Sequence, residues 1–123
     1  MKKEKVKIIS KGNQKKKIGL RQTTNDYSLL EGDVIKINEL ERVGLIRCKI
    51  DNINITINDE YKMYLLDISD DTGYLTAMLI TKDDKDLQKL LDSLEVNDVC
   101  LIYCRKSRNP EIVGVFAIKK INN

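Results

Sequence analysis

Residues 64–80 read Y-L-L-D-I-S-D-D-T-G-Y-L-T-A-M-L-I: two short apolar runs flank the polar stretch Asp70-Asp71-Thr72-Gly73. Residues that pack on a pleated surface, then residues that tolerate a turn, then the first kind again, spell a β-hairpin. The period of two puts Tyr64, Leu66 and Ile68 on one face of a strand running from about Tyr61 to Ser69. It turns Leu75, Ala77 and Leu79 inward on the next strand, Tyr74 to Ile80.

Upstream of the hairpin, Leu45 to Ile57 reads as one long strand with a defect. Ile46, Cys48 and Ile50 alternate on even positions, whereas Ile53, Ile55 and Ile57 alternate on odd ones. A period of two changes parity only where a residue is inserted or lost, which predicts a bulge near Asp51-Asn52. A long strand bent midway suits a small closed barrel, in which one strand must pair on both sides.

Downstream, Asp83 to Leu94 is the one helical pattern. Leu87, Leu90, Leu91 and Leu94 form a single apolar stripe, and Asp83, Asp84 and Asp86 crowd the first turn, where they suit the helix dipole and can cap free amides. Asn97-Asp98 turns the chain into a fourth strand, Val99 to about Arg105, and the loop 106–111 leads to a fifth, Ile112 to Ile121. Three strands, a helix and two strands give a mainly β fold: the five-stranded Greek-key OB barrel, with its helix between strands three and four.

Ile68-Ser69-Asp70-Asp71-Thr72-Gly73-Tyr74-Leu75 also resembles the L-x-D-x-T-G-x-I hairpin of OB-type nucleic-acid-binding domains, with Ile35–Leu40 similar to their lead-in and Asn97-Asp98-Val99 standing where Gly-Asp-Val is usual. The nearest likeness is to the OB domain of the replicative DNA polymerase III alpha subunit, followed by the anticodon domains of lysyl-type tRNA synthetases. It covers roughly residues 32–121. Asn97 in place of Gly, and Cys104 where a second Gly is common, imply a differently packed fourth strand.

The resemblance implies a site as well. In such domains nucleic acid lies across the outer face of strands two and three, between the loops joining strands one and two and strands four and five. Carried onto this chain, the face is Arg47 and Lys49 on the first strand, Lys62, Met63 and Leu65 on the second, and Tyr74, Thr76 and Met78 on the third, with Arg105, Lys106 and Arg108 on the rim. Cations would follow phosphates, and flat or soft apolar groups would support bases. Aromatic residues are few, five Tyr and one Phe with no Trp. Tyr64 and Phe116 are expected in the core, which leaves Tyr61, Tyr74 and Tyr103 as stacking candidates. Asn58-Asp59-Glu60 places negative charge where a ligand backbone would pass.

The 123-residue chain has a net charge of +3 that hides an asymmetry: residues 1–22 carry nine Lys or Arg against Glu4 alone, a net +8, and the remainder carries −5. We therefore divide it into a basic, partly flexible arm, residues 1–30, and an OB domain, residues 31–123. Within the arm, Val6–Ile9 reads as a short edge strand, and Lys15, Lys16 and Lys17 are candidate phosphate contacts. A solubilising terminus would look the same.

Composition removes several other classes. No run of about 18 apolar residues is present, so no membrane span is expected. The basic start has no apolar stretch after it, which points away from export and toward the cytoplasm. Cys48, Cys100 and Cys104 are odd in number and histidine is absent. That argues against zinc and for buried reduced thiols, and no metal or cofactor is expected. Without histidine neither a Ser-His-Asp nor a Cys-His pair can be built.

Asp71-Thr72-Gly73 spells the D-T-G of retroviral-type aspartic proteases, but Ser69 and Asp70 precede it instead of apolar residues and a bulky Tyr74 follows. The chain is accordingly read as non-catalytic: a binder of single-stranded DNA or RNA with little sequence specificity, serving replication, repair or mobile-element maintenance. The alternative is an OB-type protein–protein adaptor, with a protein partner or a second copy of itself.

Overall fold

The computed structural model describes residues 22–121. Its strands are β1 (Val34–Ile35), β2 (Val43–Ile57), β3 (Lys62–Asp70), β4 (Gly73–Thr81), β5 (Val99–Lys106) and β6 (Ile112–Lys120), with one α-helix, α1 (Lys85–Asp92), between β4 and β5. β2 pairs antiparallel with β3 and also with β5. The pairs β3–β4 and β5–β6 are antiparallel, and β4–β6 is a short parallel pairing that shuts the ring. The five strands β2–β6 thus form a closed mixed barrel, as expected, and the two-residue β1 lies parallel along β2.

The closure depends on β2 serving two neighbours in succession. Its first half, Val43 to Lys49, pairs with β5, and its second half follows β3. The β2–β3 register slips between Ile50 and Asn52, leaving Asp51 as the extra residue where the parity change requires it. Gly44 sits where β1 crosses, and a Cβ there would come within 2.9 Å of the Ile35 side chain and 3.0 Å of Leu40.

The inward positions are those that alternation marks. Ile46, Cys48, Ile50, Tyr64, Leu66, Ile68, Leu75, Ala77 and Leu79 are all buried, joined by Leu87, Leu91 and Leu94 at the helix end of the barrel. Asp84 caps α1 by accepting from the Leu87 amide at 3.0 Å. Asn97 has φ 81, the left-handed region that favours glycine and that Asn tolerates better than most residues, which explains how it fills a Gly-type position. The three thiols are free and buried. Burial pushes Cys100 up to about 11 and Cys104 up to about 12, and raises Cys48 further, so all three stay protonated.

Two expectations need correction. Ile55 and Ile57 keep the inward parity but are 38% and 65% exposed, because β2 outruns the barrel past Ile53. Phe116 does not enter the core. Tyr103 pairs with Ala117 and Cys104 with Val115, so Phe116 is the extra residue of a second bulge; it is half-buried and its ring lies 5.9 Å from that of Tyr103. The uniformly apolar run Val113–Ile118 carries no parity signal that could have announced this.

Cys104 is fully buried opposite that bulge.

Residues 22–30, assigned above to the arm, lie against the barrel. The Thr23 amide donates to Ile80 O at 2.8 Å and its hydroxyl donates to Val115 O at 2.9 Å. The Asn25 amide donates to Phe116 O at 2.9 Å, and the Ile118 amide donates to Asn25 Oδ1 at 2.8 Å. The segment thereby bridges β4 and β6 beyond their three-pair ladder. A 3-10 turn, Tyr27–Leu30, then lays Leu30 over Leu45 and Ala117. Val6–Ile9 and Lys15–Lys17 lie outside the described residues.

Candidate nucleic-acid interface

The strand registers align the outward side chains into rows that run across the barrel. One row is Lys49, Ser69, Tyr74. The next is Asn52, Asp67, Thr76, Ile112, and the third is Asn54, Leu65, Met78, Gly114, Arg105. The fourth is Thr56, Met63, Ile80. Because the Asp51 bulge switches parity, Lys49 before it and Asn52 and Asn54 after it share one face.

Most of the expected residues fall on these rows. Tyr74 is 73% exposed, and Leu65, Thr76 and Met78 are partly exposed beside it. Arg47 and Lys49 project from the outer face of β2. Arg105 is the register partner of Gly114 and ends the third row, with Lys106 and Arg108 following it.

Two expected residues lie elsewhere. Met63 has outward parity but is only 6% exposed, in a row with Thr56 and Ile80 that are also buried. Lys62 shares the parity of the buried Tyr64 instead of that of Leu65. Its ammonium pairs with Asp92 at 2.9 Å and lies 5.2 Å from the Tyr64 ring centre, and the Tyr64 hydroxyl donates to the same carboxylate at 2.7 Å. Lys62 therefore ties β3 to the end of α1.

Two grooves flank the face. The first, of about 400 Å³, is lined by Val34, Lys36, Arg47, Lys49, Asp70 and Asp71 among others. Its charges are largely spoken for. Lys36 pairs with Asp71 at 2.8 Å, a hydrogen bond that raises the lysine above its usual range, and Lys49 lies 3.6 Å from Asp51. Asp70 accepts from the Thr72 hydroxyl at 2.6 Å, from the Thr72 amide at 2.7 Å and from the Ile37 amide at 2.8 Å. Burial alone would raise its carboxyl, but these bonds outweigh it and hold it below the ordinary aspartate range. The D-T-G letters are thus a turn that anchors the lead-in Ile37–Glu39.

The second groove, of about 390 Å³, lies between the end of β4 and the β5–β6 loop. Gln22, Met78, Arg105, Lys106, Arg108, Gly114 and Phe116 line it, and no carboxylate does. Among the described residues, Arg105, Lys106, Arg108 and also Arg47 enter no ion pair. Gly114 forms part of its floor, and a Cβ placed there would meet nothing within 4 Å. Three positive side chains around a floor of Met78 and Phe116 can hold a phosphate at the edge and an apolar ring in the middle.

Sequence reasoning missed Asp67, Asn52, Asn54, Gly114 and Phe116 as members of this surface. Asp67 was readable, since it shares parity with Leu65. Phe116 was not, because its run of apolar neighbours hides the bulge. Among the described residues no group of three or more Cys, Asp or Glu is placed to hold a metal ion, and no helix is long and apolar enough to cross a membrane.

No protein-family model and no curated protein matches the chain. A solved structure does: a chain described as a putative aspartyl-tRNA synthetase from Leishmania major Friedlin superposes with a TM-score of 0.58 at 13% identity, over 85% of this chain and 23% of that one. The barrel is OB-like. This chain spans less than a quarter of that neighbour's length, and at such identity the likeness is one of fold. The resemblance to the polymerase III alpha domain has no support beyond this shared fold.

Proposed function

We propose that this OB-like barrel binds single-stranded nucleic acid across the outer face of β3 and β4. The observation that carries the reading is the row Asn54, Leu65, Met78, Gly114, which runs without a break into the unpaired cation Arg105 and the groove of Lys106 and Arg108. Apolar floor and cationic rim are the two halves of a single-strand site. The fold neighbour adds general support, since its name makes tRNA its substrate. Gln22 lines the groove, and Lys15, Lys16 and Lys17, which precede it in the sequence, are proposed as further phosphate contacts. The hairpin's likeness to a polymerase domain is what points to replication, repair or mobile-element maintenance. The protein acts in this reading as a binder and not as a catalyst.

Fluorescence anisotropy of labelled single- and double-stranded DNA and RNA with the full chain tests this. Single strands should bind at low salt, with affinity falling steeply as salt rises, and deletion of residues 1–21 should weaken them. Absence of any anisotropy change at low salt sinks the proposal. The adaptor reading draws on Ile55 and Ile57, exposed where β2 leaves the barrel. It predicts that polar replacement there changes self-association or partner capture and leaves oligonucleotide binding alone.

A further inference from the structure

The central side chain of the outer face is a carboxylate. Asp67 sits mid-row between Asn52 and Thr76, with Leu65 and Ser69 as its outward neighbours along β3. Its Oδ2 accepts from Asn52 Nδ2 at 3.4 Å and its Oδ1 from Thr76 Oγ1 at 3.2 Å. Both bonds are long, and each carboxylate oxygen has two acceptor directions, so the group is oriented without being saturated. Among the described residues no cation pairs with it.

A negative group here repels phosphate, while the unpaired cations stand at the edges of the same face, Arg47 on one side and Arg105, Lys106 and Arg108 on the other. This layout sends a strand's phosphates to the rims and its base edges to Asp67. The registers also place the exposed ring of Tyr74 on one diagonal of Asp67 and Met78 on the other, a separation of about 7–8 Å that a stacked base spans. A base supported there meets a carboxylate that only accepts and an Asn52 amide that can donate. Cytosine and adenine present an exocyclic amino donor beside a ring-nitrogen acceptor and satisfy both. Thymine and uracil present carbonyl oxygens on either side of a single N–H, and the carboxylate opposes them.

We propose that Asp67, oriented by Asn52 and Thr76, selects bases that carry an exocyclic amino group beside a ring-nitrogen acceptor, so that the face favours cytosine and adenine over thymine or uracil. The inference rests on the single-strand reading above and goes beyond it by naming the base class and the residue that reads it. It sets this face apart from a sequence-neutral stacking platform, on which every base is tolerated.

The test is anisotropy with short oligo(dC), oligo(dA) and oligo(dT) strands of equal length, using the full chain and its Asp67→Asn variant. Asparagine keeps the size of the side chain and can still bond Asn52 and Thr76, and a thermal melt checks that the variant is folded. The wild-type protein should bind oligo(dC) and oligo(dA) on the order of tenfold more tightly than oligo(dT). That ratio should persist as salt weakens all three. In the variant it should fall toward one, chiefly because oligo(dT) binds better once the charge is gone. Binding without preference, or a preference that survives in Asp67→Asn, overturns base selection and leaves the single-strand reading standing. Failure of every strand to bind overturns both.

Discussion

The two grooves beside the outer face are of similar size, about 400 and about 390 Å³, yet they are built for different work. In the first, between β1 and the β3–β4 turn, Lys36 and Asp71 neutralise each other and Asp70 is bonded to the chain around it. In the second, at the β5–β6 rim, three cations face open space with no carboxylate in the lining. Concavity alone therefore does not mark a site. What separates structure from interface here is whether the charges are already satisfied, because a satisfied charge must break a bond before it can take a ligand.

The largest expected effect comes from breaking the structural groove. Asp70→Ala strands the Ile37 and Thr72 amides and frees the lead-in, which should cost about 3 kcal/mol of stability. Urea unfolding measures it, and a loss below about 1 kcal/mol would show that the turn does not anchor Ile37–Glu39.

Next comes the open groove. Reversing Arg105 and Arg108 together to Glu should weaken single-strand binding by on the order of tenfold or more at low salt. It should also lower the salt slope by roughly 0.7 for each phosphate that is no longer neutralised. Lys36→Ala is the matched control, since its charge is already partnered, and it should leave affinity within about twofold. Equal losses from both variants would erase the distinction between the grooves.

A smaller effect is expected from shape alone. Gly114→Leu places its side chain in open space, so the barrel should keep its stability while the groove fills. Affinity should fall about fivefold, a fraction of what fully burying a leucine-sized group is worth. If binding is unchanged while folding is intact, the strand does not cross Gly114.

Most of the barrel was legible in the letters because alternation and burial are the same fact seen twice. The switch from even to odd isoleucines marked the Asp51 bulge, and the leucine stripe marked α1. The second bulge stayed hidden because Val113–Ile118 is apolar on both faces. The site was legible only where parity decided it, as for Leu65, Thr76 and Met78. Lys62 was misplaced because a lysine at a strand end looks outward by type, whereas its parity with Tyr64 turns it toward Asp92. Charge pairing, which distinguishes the two grooves, depends on a bond between Lys36 and Asp71, 35 residues apart, and no local pattern records it.

The smallest effect is a pH dependence, and it too separates the grooves. Asp70 has a carboxyl held below the ordinary aspartate value of about 4 by bonds that outweigh the cost of its burial. A depressed native value means that the unfolded chain binds the proton more readily. The stability that Asp70 contributes is therefore fully present above about pH 4 and is lost as pH falls through the lower native value. Asp92 is held low in the same way: burial again acts to raise it, and the bonds from Lys62 and Tyr64 prevail. Asp26, which accepts from the Ser28 hydroxyl and amide, is lowered too, so Asp70→Asn should flatten the acid limb of a stability–pH profile only in part, leaving the shares of Asp92 and Asp26. Among the described residues Arg105, Lys106 and Arg108 enter no ion pair with a carboxylate, so the open groove should contribute nothing to that limb. An Arg105→Gln variant with the same change in slope as Asp70→Asn would contradict this assignment.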